Sequence, residues 1–124
     1  MASVSLTRVL WARQAVRAHA WRTPLAGSAQ LSHLSGADVL LKLECWQHTG
    51  SFKVRGALAK LAVLRQSDQA STIVTASAGN HGLGLAYASQ VLDLPAPIIF
   101  VPTNAPAAKL DRLATYDCEV RRAG

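Results

Sequence analysis

Residues 49–57 of this chain read Thr49-Gly50-Ser51-Phe52-Lys53-Val54-Arg55-Gly56-Ala57. Gly50 and Ser51 indicate a loop that leads into a helix, with Ser51 as a candidate N-cap. Apolar residues recur at helical spacing along residues 52–65 and form one stripe. This stripe consists of Ala57, Leu58, Leu61, Ala62 and Leu64. Lys53 is therefore predicted in the first turn of a helix, beside an aromatic ring.

Downstream of this helix, the sequence alternates short apolar strands with helices. The predicted strands cover residues 72–75, 97–101 and 118–121, and the predicted helices run from Gly79 to about Val91 and from about Ala105 to Tyr116. A further short strand is expected at residues 37–44. Strands that alternate with helices imply an α/β fold, in which a parallel sheet with right-handed crossovers carries flanking helices.

The first twenty residues admit two interpretations. They contain no Asp or Glu and carry Arg8, Arg13 and Arg17 among Ala, Val, Leu and Trp, which is the composition of an amphipathic transit peptide. Alternatively, the apolar residues at helical spacing between Leu6 and Val16 form an ordinary helix that ends before Pro24. The helix is the favoured interpretation.

Composition limits the class of protein. Half of the 124 residues are apolar, which suffices for one compact domain, and no apolar run is long enough to cross a membrane. The net charge of +6 raises the question of polyanion binding, but the basic residues are scattered, so nucleic acid is not expected as a partner. Cys45 and Cys118 fit no metal spacing and are expected to be ordinary buried thiols of a cytoplasmic protein, and the histidines form no metal motif. No metal site is predicted.

Lys53 is the first candidate for chemistry. A helix start disfavours the ammonium form of a lysine, and partial burial against Phe52 would act in the same direction. A neutral amine is what Schiff-base chemistry requires. The alternative is a solvated lysine on a basic face that it shares with Arg55 and Lys60.

The second candidate segment is Ser77-Ala78-Gly79-Asn80-His81-Gly82, which follows a predicted strand and opens a helix. Free backbone N–H groups at such a junction bind a carboxylate or phosphate, and glycines let a ligand approach the main chain. The spacing of Gly79, Gly82 and Gly84 differs from the G-x-G-x-x-G order of a dinucleotide site. The alternative is that these glycines only permit a tight turn, with Asn80 as a local cap.

Taken together, the two segments resemble fold-type II pyridoxal phosphate enzymes, and most of all the group of threonine/serine dehydratases and serine racemases. The resemblance covers residues 10 to 124, about the whole chain, and corresponds to the N-terminal part of such enzymes. It is carried, in order, by Arg22-Thr23-Pro24-Leu25, by Lys42-Leu43-Glu44 with Gln47, by residues 49–57 and 77–82, by Val101-Pro102, and by Ala105-Pro106 with Lys109. It implies a tryptophan synthase β-like fold, with residues 1–50 in the large domain and residues 51–124 as an incomplete small α/β domain.

The resemblance also implies a chemistry. Pyridoxal phosphate would be the cofactor, and a β-hydroxy amino acid, threonine or serine, would be converted to a 2-oxo acid and ammonia by a homo-oligomeric parent enzyme. Lys53 would hold the cofactor as a Schiff base and remove the α-proton of the substrate, Phe52 would pack beside the cofactor ring, and Asn80 would hydrogen-bond its 3′-hydroxyl. The residues that would grip the substrate carboxylate are Ser77, Ala78, Gly79, Asn80 and His81. Racemases of the group typically have serine at the position of Ala78, so the alanine favours dehydration.

The sequence departs from the family in length. The catalytic domain of the family runs well beyond twice this length, and both its glycine-rich phosphate loop and the partner of the pyridine nitrogen are absent from this sequence. Two alternatives to a dehydratase therefore stay open, which are an inactive fragment or remnant and a serine racemase-like enzyme. The strand at residues 39–43 is expected to have unpaired edges, which predicts aggregation or a need for a partner.

Overall fold

The computed structural model describes residues 4–67 and 72–124. The helices of these residues are α1 (Leu6–Arg17), α2 (Ala29–Ser35), α3 (Lys53–Gln66), α4 (Asn80–Val91) and α5 (Ala107–Leu113). Their strands are β1 (Leu25–Gly27), β2 (Leu40–Lys42), β3 (Val74–Ala76), β4 (Ile98–Val101) and β5 (Glu119–Arg122). Two short 3-10 turns, Glu44–Trp46 and His48–Gly50, connect β2 to α3.

The three C-terminal strands form one parallel sheet in the order β3-β4-β5. In its register Val74 lies opposite Ile98, and Ile98 lies opposite Glu119. Helices α4 and α5 connect successive strands, so each connection is a strand-helix-strand crossover. The predicted α/β class, with a parallel sheet and flanking helices, is confirmed.

The other two strands form a separate antiparallel pair. Leu25 of β1 lies opposite Lys42 of β2, and Ala26 lies opposite Leu41. The strand predicted at residues 37–44 is thus shorter than expected, and the expectation that both of its edges are unpaired is wrong, because β1 covers one of them. Its side chains remain solvent-accessible, and Leu40 is 60% exposed.

The predicted helices are confirmed with small changes of bounds. α1 is a helix, as favoured, and none of its residues, all of which the structure describes, is buried. On α3 the predicted stripe is buried at Ala57, Leu58 and Leu61, while Ala62 and Leu64 are only partly buried. The α5 helix begins later than predicted, because Pro106 is its N-cap and a residue before a proline avoids helical geometry, and it ends at Leu113, before the predicted Tyr116.

Helix α4 lies between two apolar clusters. On one side Leu85 and Ala88 pack with residues of α3, and on the other side Leu83 and Ala86 pack with residues of β4 and α5. Because both faces of α4 are covered, its sequence is rich in Ala, Leu and Gly, as expected for a helix that is buried all round.

A polar network attaches the N-terminal half of the chain to α3. The guanidinium of Arg55 donates two hydrogen bonds to the carboxylate of Glu44, with Nε to Oε2 at 2.9 Å and Nη2 to Oε1 at 2.8 Å, and Nη2 also donates to the carbonyl of Trp21 at 2.8 Å. The hydroxyl of Thr23 donates to Glu44 Oε1 at 2.5 Å. Arg55 is therefore an ion-pair partner and is not part of a solvated basic face.

The side chain of Gln47 closes the same network from the other end. Its Nε2 donates to the carbonyl of Trp21 at 2.8 Å, and its Oε1 accepts the backbone N–H groups of Trp21 and His48, both at 3.0 Å. Gln47 is only 4% exposed, so these hydrogen bonds satisfy a buried amide.

Removal of the Glu44 charge should destabilise the fold and alter its response to acid. Hydrogen bonds from Arg55 hold the pKa of the Glu44 carboxyl below its ordinary value of 4.5, against the opposing effect of burial. The stabilisation is therefore complete above pH 4.5 and is lost as the pH falls through the lower folded-state pKa. We expect Glu44→Gln to lower the free energy of unfolding at pH 7 by about 1–2 kcal/mol. Urea unfolding at pH 7 and below pH 4 measures both effects.

Glu119→Gln is the matched control, because Glu119 pairs with Arg121 on an exposed strand at 2.6 Å. This substitution should leave the free energy of unfolding nearly unchanged. Equal losses in the two variants would contradict a special role for the Glu44 network.

Candidate active site

Lys53 is the first residue of α3, as predicted. Phe52 occupies the N-cap position, and the hydroxyl of Ser51 accepts the backbone N–H of Lys53 at 3.4 Å, so the helix begins one residue later than Ser51 alone indicates. The amine of Lys53 lies 5.1 Å from the centroid of the Phe52 ring. Both side chains are exposed, so the predicted partial burial of Lys53 is wrong. The contact between them is a cation–π interaction at the surface.

The segment from Ser77 to Gly82 forms the junction between β3 and α4. The backbone N–H of Ser77 donates to the carbonyl of Phe100 at 2.9 Å and extends the ladder to β4. The Ser77 hydroxyl accepts the N–H of Gly79 at 3.2 Å, and Gly79 is the N-cap of α4. Asn80 is therefore the first residue of the helix, and the alternative in which it acts as a local cap is wrong. The N–H groups of the first helical turn after Gly79 have no partner within the helix, as at every helix start.

Two positions of α4 require glycine because neighbouring backbone atoms lie very close to them. A Cβ at Gly82 would lie 2.5 Å from the carbonyl oxygen of Ser77, and a Cβ at Gly84 would lie 3.0 Å from the nitrogen of Val54 and 3.1 Å from the carbonyl carbon of Lys53. Gly82 thus permits the tight turn, as one of the two interpretations proposed, and Gly84 permits α4 to approach α3 closely. This approach brings the two predicted segments together.

A cleft of about 510 Å³ lies between α3, the edge strand β3 and the first turns of α4. Phe52, Lys53, Lys60 and His81 line it together with apolar and hydroxyl side chains, and its described lining contains no Asp or Glu. Three of the predicted site residues, Lys53, Phe52 and His81, therefore share one cleft. The lining does not include Ser77, Ala78, Gly79 or Asn80, which lie in the adjoining junction.

The turn that precedes Lys53 has an unusual backbone, which sequence reasoning missed. Thr49 has a φ of 65° and Gly50 a φ of 72°, so two successive residues adopt the left-handed conformation. The guanidinium of Arg112 in α5 donates to the carbonyl of Thr49 at 2.9 Å. Nothing in the local sequence indicates this contact, because the two residues are 63 positions apart.

Aromatic contacts of His48 also hold the turn that precedes Lys53. The ring of His48 lies 4.3 Å from that of Trp21 and stacks on that of Tyr87 at 4.7 Å, and the hydroxyl of Tyr87 donates to the carbonyl of His19 at 2.7 Å. Burial lowers the pKa of His48 below its ordinary value and raises the pKa of Tyr87. His48 therefore favours the neutral form, which suits a ring that lies against two aromatic side chains.

Residues 4–67 and 72–124 contain no cluster of three or more His, Cys, Asp or Glu side chains that could bind a metal ion. Over the same residues, every helix is too short or too polar to span a bilayer.

The fold and the site together define a class of protein. Its members have a parallel α/β domain in which a lysine at the start of a helix lines a basic cleft. Comparison with known proteins gives the family. Residues 16–124 match the model of the pyridoxal-phosphate dependent enzymes. The chain belongs to this family.

Several relatives share the arrangement along nearly the whole chain. The L-threonine ammonia-lyase of Thermotoga maritima is 38% identical over 94% of this chain and 29% of its own length. The structure of serine racemase from Dictyostelium discoideum matches 98% of this chain and 40% of its own, with a TM-score of 0.88 and 33% identity. That of processed threonine deaminase isoform 2 from Solanum lycopersicum matches 95% of this chain and 32% of its own, with a TM-score of 0.82 and 31% identity. The chain spans roughly a third of the length of the curated relatives it matches.

Gly82, next to the junction, and Gly56, in α3, allow a matched test of the close contact between residue 82 and Ser77. Gly82→Ala should lower the free energy of unfolding by about 1–3 kcal/mol, because its methyl group must displace the Ser77 carbonyl. Gly56→Ala, in an open position of α3, should raise it by about 0.5–1 kcal/mol through higher helix propensity. Chemical unfolding of the two variants measures the difference, and stabilisation by both substitutions would contradict the close contact at residue 82.

Proposed function

We propose that this chain forms the lysine-bearing part of a pyridoxal phosphate-dependent ammonia-lyase that acts on a β-hydroxy amino acid, threonine or serine. The observation that carries the proposal is the location of Lys53, at a helix start in a cleft that also contains His81. Membership of the pyridoxal phosphate family supports the cofactor, and the ammonia-lyases among the relatives support the reaction class.

The residues of the cleft suit the cofactor. An aldehyde requires an accessible amine, and Lys53 is exposed at the cleft with no carboxylate in the described lining to bind it. The phosphate of the cofactor and the carboxylate of an amino acid are both anions, and Lys53 and Lys60 give the lining a positive character. Phe52 supplies an aromatic face beside the amine.

The proposed roles follow from these positions. When bound, the cofactor supplies an electron sink that stabilises negative charge at the substrate α-carbon. The amine of Lys53 binds the cofactor and, once free, accepts the α-proton in its neutral form. The N–H groups after Gly79 and the side chain of His81 bind the substrate carboxylate, with Ser77, Ala78 and Gly79 shaping the junction. Asn80, at the start of α4, orients the cofactor through its side-chain amide.

Ala78 supports the choice of dehydration. A racemase needs a second base on the opposite face of the substrate, and the methyl group of Ala78 can neither accept nor donate a proton. Elimination needs one base at the α-carbon, which Lys53 provides, and departure of the β-hydroxyl. The serine racemases among the relatives keep racemisation as the second candidate activity.

The domain division and cellular location complete the proposal. We place residues 1–50 with the large domain of the parent fold and residues 51–124 in its small domain, and we propose a cytoplasmic, homo-oligomeric parent enzyme without a nucleic-acid partner. Cys45 and Cys118 are free thiols, and Cys45 is exposed, so the expectation that both thiols are buried is wrong.

The cofactor anchor can be tested on the chain itself. After incubation with equimolar pyridoxal phosphate and reduction with borohydride, peptide mapping by mass spectrometry should locate the cofactor on Lys53. Lys53→Ala should abolish this adduct and its visible absorbance. Lys60→Ala, which removes a lysine from the same cleft, should retain both. An adduct shared evenly with Lys42 or Lys109 would contradict the assignment of Lys53.

The reaction class requires the parts that only the longer relatives contain. A chimera in which residues 1–124 replace the aligned part of the Thermotoga maritima L-threonine ammonia-lyase should form a 2-oxo acid from threonine. Lys53→Ala in this chimera should reduce the rate by at least about a hundredfold. A coupled assay measures the 2-oxo acid, and chiral chromatography measures D-serine formed from L-serine. More D-serine than 2-oxo acid would favour the racemase, and a folded, cofactor-loaded chimera without turnover would contradict both activities.

A further inference from the structure

The turn that leads into α3 is strained at the point where it meets α5. Thr49 adopts a φ of 65° and a ψ of 2°, and Gly50 follows with a φ of 72°. Glycine adopts this left-handed region freely, whereas a β-branched threonine is rarely found there, because its Cβ comes close to the following carbonyl oxygen. Such a conformation persists only where contacts with the rest of the fold hold it.

The side chain of Thr49 does not supply these contacts. Its Oγ1 is buried and, among the residues that the structure describes, has no hydrogen-bond partner. A buried hydroxyl without a partner adds to the cost of the turn. Within the turn itself, the backbone N–H of Gly50 donates to the carbonyl of Gln47 at 2.8 Å. The remaining support has to come from groups outside the turn.

Arg112 of α5 supplies support of this kind. Its Nη2 donates to the carbonyl of Thr49 at 2.9 Å, and a charged donor makes a stronger hydrogen bond than a neutral one. A Cβ at Gly50 would lie 3.6 Å from the same nitrogen, so the guanidinium also lies close to the second left-handed residue. The backbone of Arg112 is itself fixed, because the next residue, Leu113, is fully buried in the cluster that α5 shares with α4 and β4.

The turn is closely connected to the lysine. Ser51 and Phe52 separate Gly50 from Lys53, and the buried Ser51 accepts the backbone N–H of Lys53 on its Oγ at 3.4 Å. Helix α4 packs against the backbone of Lys53, because a Cβ at Gly84 would lie 3.3 Å from the Lys53 carbonyl oxygen. The first residue of α3 is thus held between α4 and the turn, and release of the turn would move it.

We propose that Arg112 is a positioning residue for Lys53. Its hydrogen bond to the Thr49 carbonyl holds the left-handed turn and thereby sets the point from which the Lys53 amine enters its cleft. Arg112 does not line that cleft, and its contact joins two segments of this chain. The consequence for cofactor binding rests on the proposed function, in which Lys53 binds pyridoxal phosphate.

Hydrogen exchange followed by NMR tests the turn on the complete chain without cofactor. Arg112→Ala removes the hydrogen bond to Thr49, so the amides of Gly50 and Lys53 should exchange about fivefold faster. The amide of Ala86 in α4 should keep its wild-type rate, whereas a general loss of stability would accelerate it as well. Arg112→Lys keeps a charged donor and should restore most of the protection.

Labelling with pyridoxal phosphate and borohydride tests the effect on the lysine. In Arg112→Ala, the amount of label on Lys53 relative to Lys60 should fall by about threefold or more, because the amine no longer has a fixed starting point. Thr49→Asn in the Arg112→Ala background should restore the ratio, since asparagine adopts the left-handed region more readily than threonine. A role of Arg112 in the stability of α5 alone would not respond to a substitution at residue 49.

Arg122→Ala is the matched control, because it removes the same charge at an exposed position of β5. It should retain the wild-type exchange rates and the wild-type labelling ratio, which separates positioning from attraction of the cofactor phosphate by positive charge.

Three results would overturn the proposal. They are unchanged exchange at Gly50 and Lys53 in Arg112→Ala, an equal acceleration of exchange at Ala86, and an unchanged labelling ratio despite faster exchange. A wild-type chain without any adduct on Lys53 would contradict the proposed function instead. The exchange rate of the Lys53 amide would then decide whether Arg112 positions the start of α3.

Discussion

The close approach of α4 to the start of α3 is the constraint on which the rest of the structure depends. The two backbones meet because residue 84 has no side chain, since a Cβ there would lie 3.0 Å from the nitrogen of Val54. Leu85 packs α4 against α3, and Leu83 packs it against the parallel sheet. One buried helix thus fixes the lysine-bearing helix relative to the strands, and it also begins at the junction that follows β3.

The motifs that precede the lysine serve mainly to hold this arrangement. Glu44, Thr23 and Arg55 form one hydrogen-bonded group, and Gln47 binds both backbone groups of Trp21. None of these side chains lines the cleft that contains Lys53. The residues that this chain shares with the family motifs therefore include some that hold the fold together and do not line the cleft. Only the contacts of the folded chain identify them.

Local patterns predicted the parts of the fold that local forces decide. The helical stripe of α3, the apolar strand β4 and the Ala-rich α4 were predicted because each buries a face whose periodicity is visible in the sequence. The pairing of β1 with β2 was not predicted, since strands this short carry little periodicity. The exposure of Lys53 was one of two outcomes left open, because the stripe defines the buried face of α3 but does not determine how its first turn meets solvent. The contact between Arg112 and Thr49 depends on tertiary structure alone.

The charges of α3 are divided between its two sides, and this division bears on the chemistry of the lysine. Arg55 lies on the side of α3 that meets α1 and holds the carboxylate of Glu44 with two hydrogen bonds, while Lys53 and Lys60 line a cleft whose described lining has no carboxylate. A carboxylate beside Lys53 would pair with the ammonium form and oppose the neutral amine that an aldehyde requires. Arg55 and Glu44 therefore form their ion pair outside the cleft that contains Lys53, and the two lysines of that cleft have no carboxylate in its described lining.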